Sequence, residues 1–163
     1  GLDAAGEFNP GMGNFPNGCQ IAEVEIDPET GKVELASLFI VDDVGTVINP
    51  LLLEGQIHGG AAQGVGQALL EEMVYDPNSG QLLTASFQDY CMPRADDFPN
   101  FEIENMAVPT KSNPLGVKGA GETGTVGAPP AVIGAITDAL GIDDIAMPAT
   151  PERVWRALNE KAA

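Results

Sequence analysis

One carboxylate stands out by its surroundings. Glu122 lies in the loop Lys118-Gly119-Ala120-Gly121-Glu122-Thr123-Gly124, among three glycines. Glycines let backbone and ligand come close, and a carboxylate shut away from water has a raised pKa suited to a general base. The plain alternative is a surface carboxylate, one of 24 acidic residues. The loop also matches Gly-x-Gly-x-x-Gly, with Asp143 and Asp144 about twenty residues on. A dinucleotide fingerprint needs a strand before it, and Asn113-Pro114-Leu115-Gly116 makes a poor one. Glu122 would also put a negative charge into a pyrophosphate cradle. No Gly-Lys-Ser/Thr follows, so this is not a P-loop either.

A second group lies upstream. Gln56, Gln63 and Gln67 stand at offsets of 7 and 11. In a straight helix they fall within about 20° of one line. Carboxamides both donate and accept hydrogen bonds. Such a stripe suits a flat heteroaromatic ligand rich in N and O edges, or it is a solvated polar face. Gly55, Gly59, Ala62 and Gly66 share another face. Each glycine inside a helix costs about 1 kcal/mol relative to Ala, which a helix accepts where something approaches its backbone.

The remaining reactive types carry less. His58 is the sole histidine, which excludes a multi-histidine metal site, and it reads as a hydrogen-bonded or surface residue. Cys19 and Cys91 make neither a disulfide framework nor a Cys-rich metal site. Cys91 has no His paired with it in sequence and reads as a plain thiol. Asp42-Asp43 and Asp96-Asp97 lack the spacing of a Ca²⁺ loop and read as solvated turns. No residue is assigned to a metal.

Elements must position these groups. Residues 1–18 are rich in Gly, Pro and Asn, without period, and read as an irregular N-terminal segment. Residues 19–26 alternate, with Ala22, Val24 and Ile26 on one side. A turn over 27–31 and a return strand over 32–41 complete a hairpin. A Gly-rich helix is expected over 54–73 and a second hairpin over 74–90, with its turn at 77–80. Loop 91–100, a strand over 101–108 and a long Gly/Pro loop over 109–128 follow. A helix over 129–140 starts with Pro129 and Pro130 in its first turn and stops at Gly141. The last helix begins near Pro151, capped by Thr150. The fold class is α+β, with β-hairpins packed on a Gly-rich helix and two C-terminal helices, and with no internal repeat.

Composition bounds the function. Seven basic and 24 acidic residues among 163 give a net charge of −17. That balance argues against nucleic acid and against anionic membrane surfaces as partners. No apolar run is long enough to span a bilayer. A hydrophobic fraction of 44% supports a buried core. Gly1 is not a start Met and no signal-peptide pattern follows it, so the expected location is cytoplasmic. Ten of the 20 glycines fall in the two candidate segments, at 55, 59, 60, 64 and 66 and at 116, 119, 121, 124 and 127. They are expected to be where a cofactor meets the backbone.

Together the segments are specific. Gly55–Gly66 (GQIHGGAAQGVG), then Asp89-Tyr90 and Pro93, then Asn113–Glu122 (NPLGVKGAGE) resemble the molybdenum hydroxylases, the xanthine dehydrogenase and aldehyde oxidoreductase family. The ending Met147–Trp155 (MPATPERVW) resembles the large subunits of the aerobic carbon monoxide dehydrogenase branch. The likeness runs from about Pro16 to the C-terminus. It implies that residues 19–163 are the C-terminal molybdopterin-binding region of a large subunit, as a single domain or a fragment. It implies that Gln56 contacts the molybdopterin cofactor, with Gly55, Gly119 and Gly121 beside it. It implies that Glu122 is the base next to molybdenum. It also implies oxidation of a small molecule such as carbon monoxide, an aldehyde or an N-heterocycle. Electrons would leave through iron–sulfur clusters and FAD on partner chains. Family large subunits are several times longer, so the rest of the large subunit, an iron–sulfur subunit and a FAD subunit are the implied partners. A non-catalytic module that binds no cofactor by itself is the competing reading.

Overall fold

The computed structural model describes residues 1–9 and 11–161. In order the elements are β1 (Asn17–Ile26), β2 (Val33–Asp43), α1 (Pro50–Leu69), β3 (Glu102–Asn105), α2 (Thr123–Leu140) and α3 (Pro151–Lys161), with one 3-10 turn at Ala95–Asp97. The sheet runs β1-β2-β3. β1 and β2 are antiparallel, and β3 lies parallel to β2.

The hairpin follows from its turn and its alternation. The Asp27 carboxylate accepts from the Glu29 amide and the Thr30 hydroxyl, and Gly31 takes φ 72°. In β1 the side chains of 20, 22, 24 and 26 turn toward the core, while 19, 21, 23 and 25 are exposed. β2 changes phase. Leu35 is buried, Ala36 has no partner between Leu35↔Val24 and Ser37↔Glu23, and then Leu38, Ile40 and Asp42 are buried. This bulge adds one residue and flips every later side chain. It is the reason Asp42, and not Asp43, faces inward.

The helices differ from their expected bounds. α1 starts at Pro50, where Asn49 caps it by accepting from the Leu52 amide at 3.2 Å, and it ends at Leu69. Helix 54–73 is therefore shifted four residues toward the N-terminus. α2 starts at Thr123, not at Pro129. Pro129 and Pro130 lie within it, so the expected loop 109–128 loses its last six residues to the helix. A proline frees the carbonyl four residues before it. The oxygen freed by Pro129 belongs to Thr125, and a Cβ on Gly64 of α1 would sit 2.8 Å from it. The bare glycine backbone covers that oxygen instead.

The same device joins the two helices elsewhere. A Cβ on Gly124 would collide with the Ile57 carbonyl, and one on Gly60 would meet Thr125 Oγ1 at 3.0 Å. The core holds Leu38, Ile40, Ile57, Val65, Val132, Ile136 and Val154, all nearly or fully buried. α2 ends as expected at Gly141, in the left-handed conformation at φ 61°. Val154 N donates to Thr150 O at the start of α3, also as expected. The second hairpin shrinks to one bridge, Tyr75↔Leu82, around a turn held by Asp76. The expected strand 101–108 is the shorter β3.

Candidate functional site

Glu122 is the N-cap residue of α2, and its side chain makes no capping bond. It is exposed. The loop before it is tied to the sheet. Lys118 Nζ donates to Asp43 Oδ2 at 2.5 Å, with both side chains largely covered. The amides of Gly45 and Val108 also donate to Asp43 Oδ1, each at 2.9 Å. These bonds, led by the one from Lys118, lower the Asp43 pKa to about 2. Asp43 is thus a structural anchor of the Glu122 loop and not a solvated turn residue.

The start of α2 closes one side of a cavity of about 310 Å³. β1 contributes Gly18 and Gln20, β2 contributes Asp42, and α2 contributes Glu122, Thr123 and Gly127. Gln20 Nε2 donates to the Thr123 and Gly124 carbonyls at 3.4 and 3.0 Å. Asp42 is 2% exposed. Burial pushes its pKa above the ordinary carboxylate value, against the opposing effect of a hydrogen bond with the Thr123 side chain. Among the described residues, Gln20 Oε1 and Asp42 Oδ2 are the buried side-chain polar atoms without a partner.

Neither residue belongs to a motif that the sequence displays. Asp42 was expected in a solvated turn, and the bulge in β2 corrects that by turning it inward. Gln20 carried a legible signal, since it occupies the inward register of β1 with Ala22, Val24 and Ile26. A polar residue in an apolar register is a candidate for a specific hydrogen bond.

The upstream group divides. Gln56, Gln63 and Gln67 are all exposed on α1. None of them lines the Glu122 cavity, and Gln63 lines a separate groove with Phe98 and Phe101. His58 Nδ1 lies 2.9 Å from the Glu54 carbonyl, and its ring stacks on Phe101 with 5.5 Å between centroids. Beyond α1, the Tyr90 hydroxyl donates to Glu71 Oε2 at 2.8 Å. Pro93 packs over Gly66, so the segment of Tyr90 and Pro93 is moored to the end of α1. Asp97 accepts from the Arg94 amide in an exposed turn. Cys19 and Cys91 are free and exposed. Among the described residues, no group of three or more His, Cys, Asp and Glu could hold a metal ion.

The glycines sort by what lies beside them. Gly60, Gly64, Gly66, Gly116, Gly124 and Gly127 press against protein. For these six, helix, loop or side-chain packing replaces the expected cofactor approach. At Gly55, Gly59, Gly119 and Gly121 an added Cβ would meet nothing within 4 Å, and none of the four has a positive φ. Neither crowding nor backbone conformation within this chain demands glycine there. The open backbone around Gly55-Gln56 and Gly119–Glu122 therefore suits a flat group that must lie close to main-chain atoms and meet amide edges.

Known proteins share much of this sequence. Residues 1–99 match the family model described as a molybdopterin cofactor-binding domain. The nicotine 6-hydroxylase large subunit of Paenarthrobacter nicotinovorans is 44% identical over 96% of this chain and 20% of its own length. The carbon monoxide dehydrogenase large chain of Hydrogenophaga pseudoflava is 36% identical over 98% of this chain and 20% of its own. A crystal structure of Cu,Mo-CO dehydrogenase superposes with a TM-score of 0.85 at 35% identity, covering 90% of this chain and 19% of that one. Aldehyde oxidoreductase from Desulfovibrio gigas gives 0.79 at 32% identity, covering 88% and 15%. The chain spans about one fifth of the length of these curated relatives. No described helix is long and apolar enough to cross a membrane.

Proposed function

Since the chain belongs to the molybdopterin cofactor-binding domain family, we propose that it forms part of the large subunit of a molybdenum hydroxylase and supplies the active-site base, Glu122. Residues 19–163 form the C-terminal part of the pterin-binding region. Gln56 meets the polar edge of the pterin, with Gly55, Gly119 and Gly121 giving it room. The bound cofactor supplies oxygen transfer and takes up electrons. This chain's part is to hold the cofactor edge and to accept a proton at the Glu122 carboxylate. The remainder of the large subunit completes the site, and iron–sulfur and FAD subunits carry electrons away. The substrate is a small molecule of the kind oxidised by such enzymes, with carbon monoxide, aldehydes and N-heterocycles as the candidates.

The observation that carries this reading is the open glycine backbone at Gly55, beside Gln56, and at Gly119 and Gly121, just before Glu122, which no neighbour within the chain explains. It leads to a direct test. Gly55→Val and Gly121→Val in the complete subunit leave folding intact but lower bound molybdopterin by about tenfold or more, because a side chain occupies the approach. Normal pterin content in both variants would reject the assignment.

A further inference from the structure

The two orphan oxygens of the Glu122 cavity belong to one face of the sheet. Gln20 pairs with Ile40, and Asp42 is two residues further along the same strand, so the two side chains are diagonal neighbours. Both line the cavity that also holds Glu122. Each is an acceptor if Asp42 is ionised, and two buried acceptors cannot satisfy one another. The Gln20 amide cannot turn to help, because its nitrogen is committed to the Thr123 and Gly124 carbonyls.

We propose that Asp42 is a neutral carboxylic acid whose proton points into the cavity toward Gln20 Oε1, and that Asp42 and Gln20 together position Glu122. A proton on Asp42 Oδ2 makes that oxygen a donor and Gln20 Oε1 its acceptor, which gives both orphan atoms a partner, directly or through a water in the cavity, which is large enough to hold one. The chain then runs from Asp42 through the Gln20 amide to the carbonyls of Thr123 and Gly124, the two residues that follow Glu122. Gly18 makes room for the arrangement, since a Cβ there would collide with the Asp42 carboxyl.

The charged surroundings favour the neutral form. β1 presents no ionisable group to the cavity, and α2 presents Glu122, a like charge. Asn105 is the β3 register partner of Asp42. Lys118 is already bound to Asp43. A neutral Asp42 puts no second negative charge beside Glu122. This functional half rests on reading Glu122 as the base.

Infrared difference spectra of the complete subunit without cofactor, wild type against Asp42→Asn, test the proton. A carbonyl band of a protonated carboxylic acid is expected at neutral pH in the wild type and absent from the variant. No such band means an ionised Asp42 and overturns the proposal. Kinetics of the loaded enzyme test the positioning. Asp42→Asn, which keeps a donor and changes no charge, should hold kcat within about twofold with an unmoved acidic limb. A limb displaced downward by about one pH unit would reveal a lost negative neighbour and overturn the proposal. Asp42→Leu and Gln20→Met should each lower kcat by about tenfold at normal molybdenum content, with KM little changed. Gln20→Met is the less disruptive of the two because Gln20 is only half-buried. Unchanged kcat in it would remove the positioning role. Full turnover by Glu122→Gln would end the reading of Glu122 as base but leave the infrared band in place, so the two failures are distinguishable.

Discussion

At the residue scale, charge is placed with opposite results at two adjacent positions. Asp43 is ionised and held by Lys118 Nζ and the Val108 and Gly45 amides, while Asp42 is buried with one oxygen unpaired. The sign of the pH dependence follows. The Asp43 pKa is lowered from 3.8 to about 2, so its contribution is fully present above pH 3.8 and is lost as the pH falls through about 2. Thermal unfolding across that range should show the loss in the wild type and a shallower slope in Asp43→Asn. The variant should already be less stable at neutral pH. Identical slopes in the two proteins would contradict the anchor role. Asp42 runs the other way. Its raised value means that its proton favours the folded state, an effect full below 3.8 and lost as the pH rises through the higher folded value.

At the element scale, the glycines of α1 serve two purposes on two faces. Gly60 and Gly64 let α2 approach, and Gly124 on α2 returns the favour by lying against the Ile57 carbonyl. Gly124→Ala should therefore destabilise by about 2 kcal/mol, since backbone must shift. Gly59→Ala should stabilise by about 1 kcal/mol, since its Cβ meets nothing. Denaturant unfolding measures both, and equal effects would refute the division. The sequence pattern announced the β1–β2 hairpin, the Gly141 stop and the Thr150 start because each rests on local chemistry. It missed the start of α2 because Thr123–Ala128 combines two glycines with β-branched residues, a poor helix by propensity, and tertiary contact with α1 decides. It missed Asp42 because an unpaired Ala36 leaves no mark in a pattern of alternation. In the sequence Glu122 is singled out by its glycine neighbours. Its companions lie far away in sequence, Gln20 on β1 about 100 residues before α2 and Asp42 on β2 about 80, and only the folded sheet brings them to it.

At the scale of the molecule, the chain leaves large apolar side chains uncovered. Phe15 and Phe87 are 80% and 81% exposed, and Val126 beside the cavity is 72% exposed. Apolar surface of this kind suits contact with other protein, which fits the proposal that the rest of a large subunit covers it. The net charge of −17 argues against phosphate-rich partners more than it defines a site. The account makes Glu122 the proton acceptor of a site that the rest of a large subunit completes. Its most direct test is turnover and molybdenum content of Glu122→Gln in the whole enzyme. We expect turnover to fall by about a hundredfold or more, with molybdenum and pterin near wild-type levels. A variant that keeps wild-type turnover at full cofactor loading would contradict it.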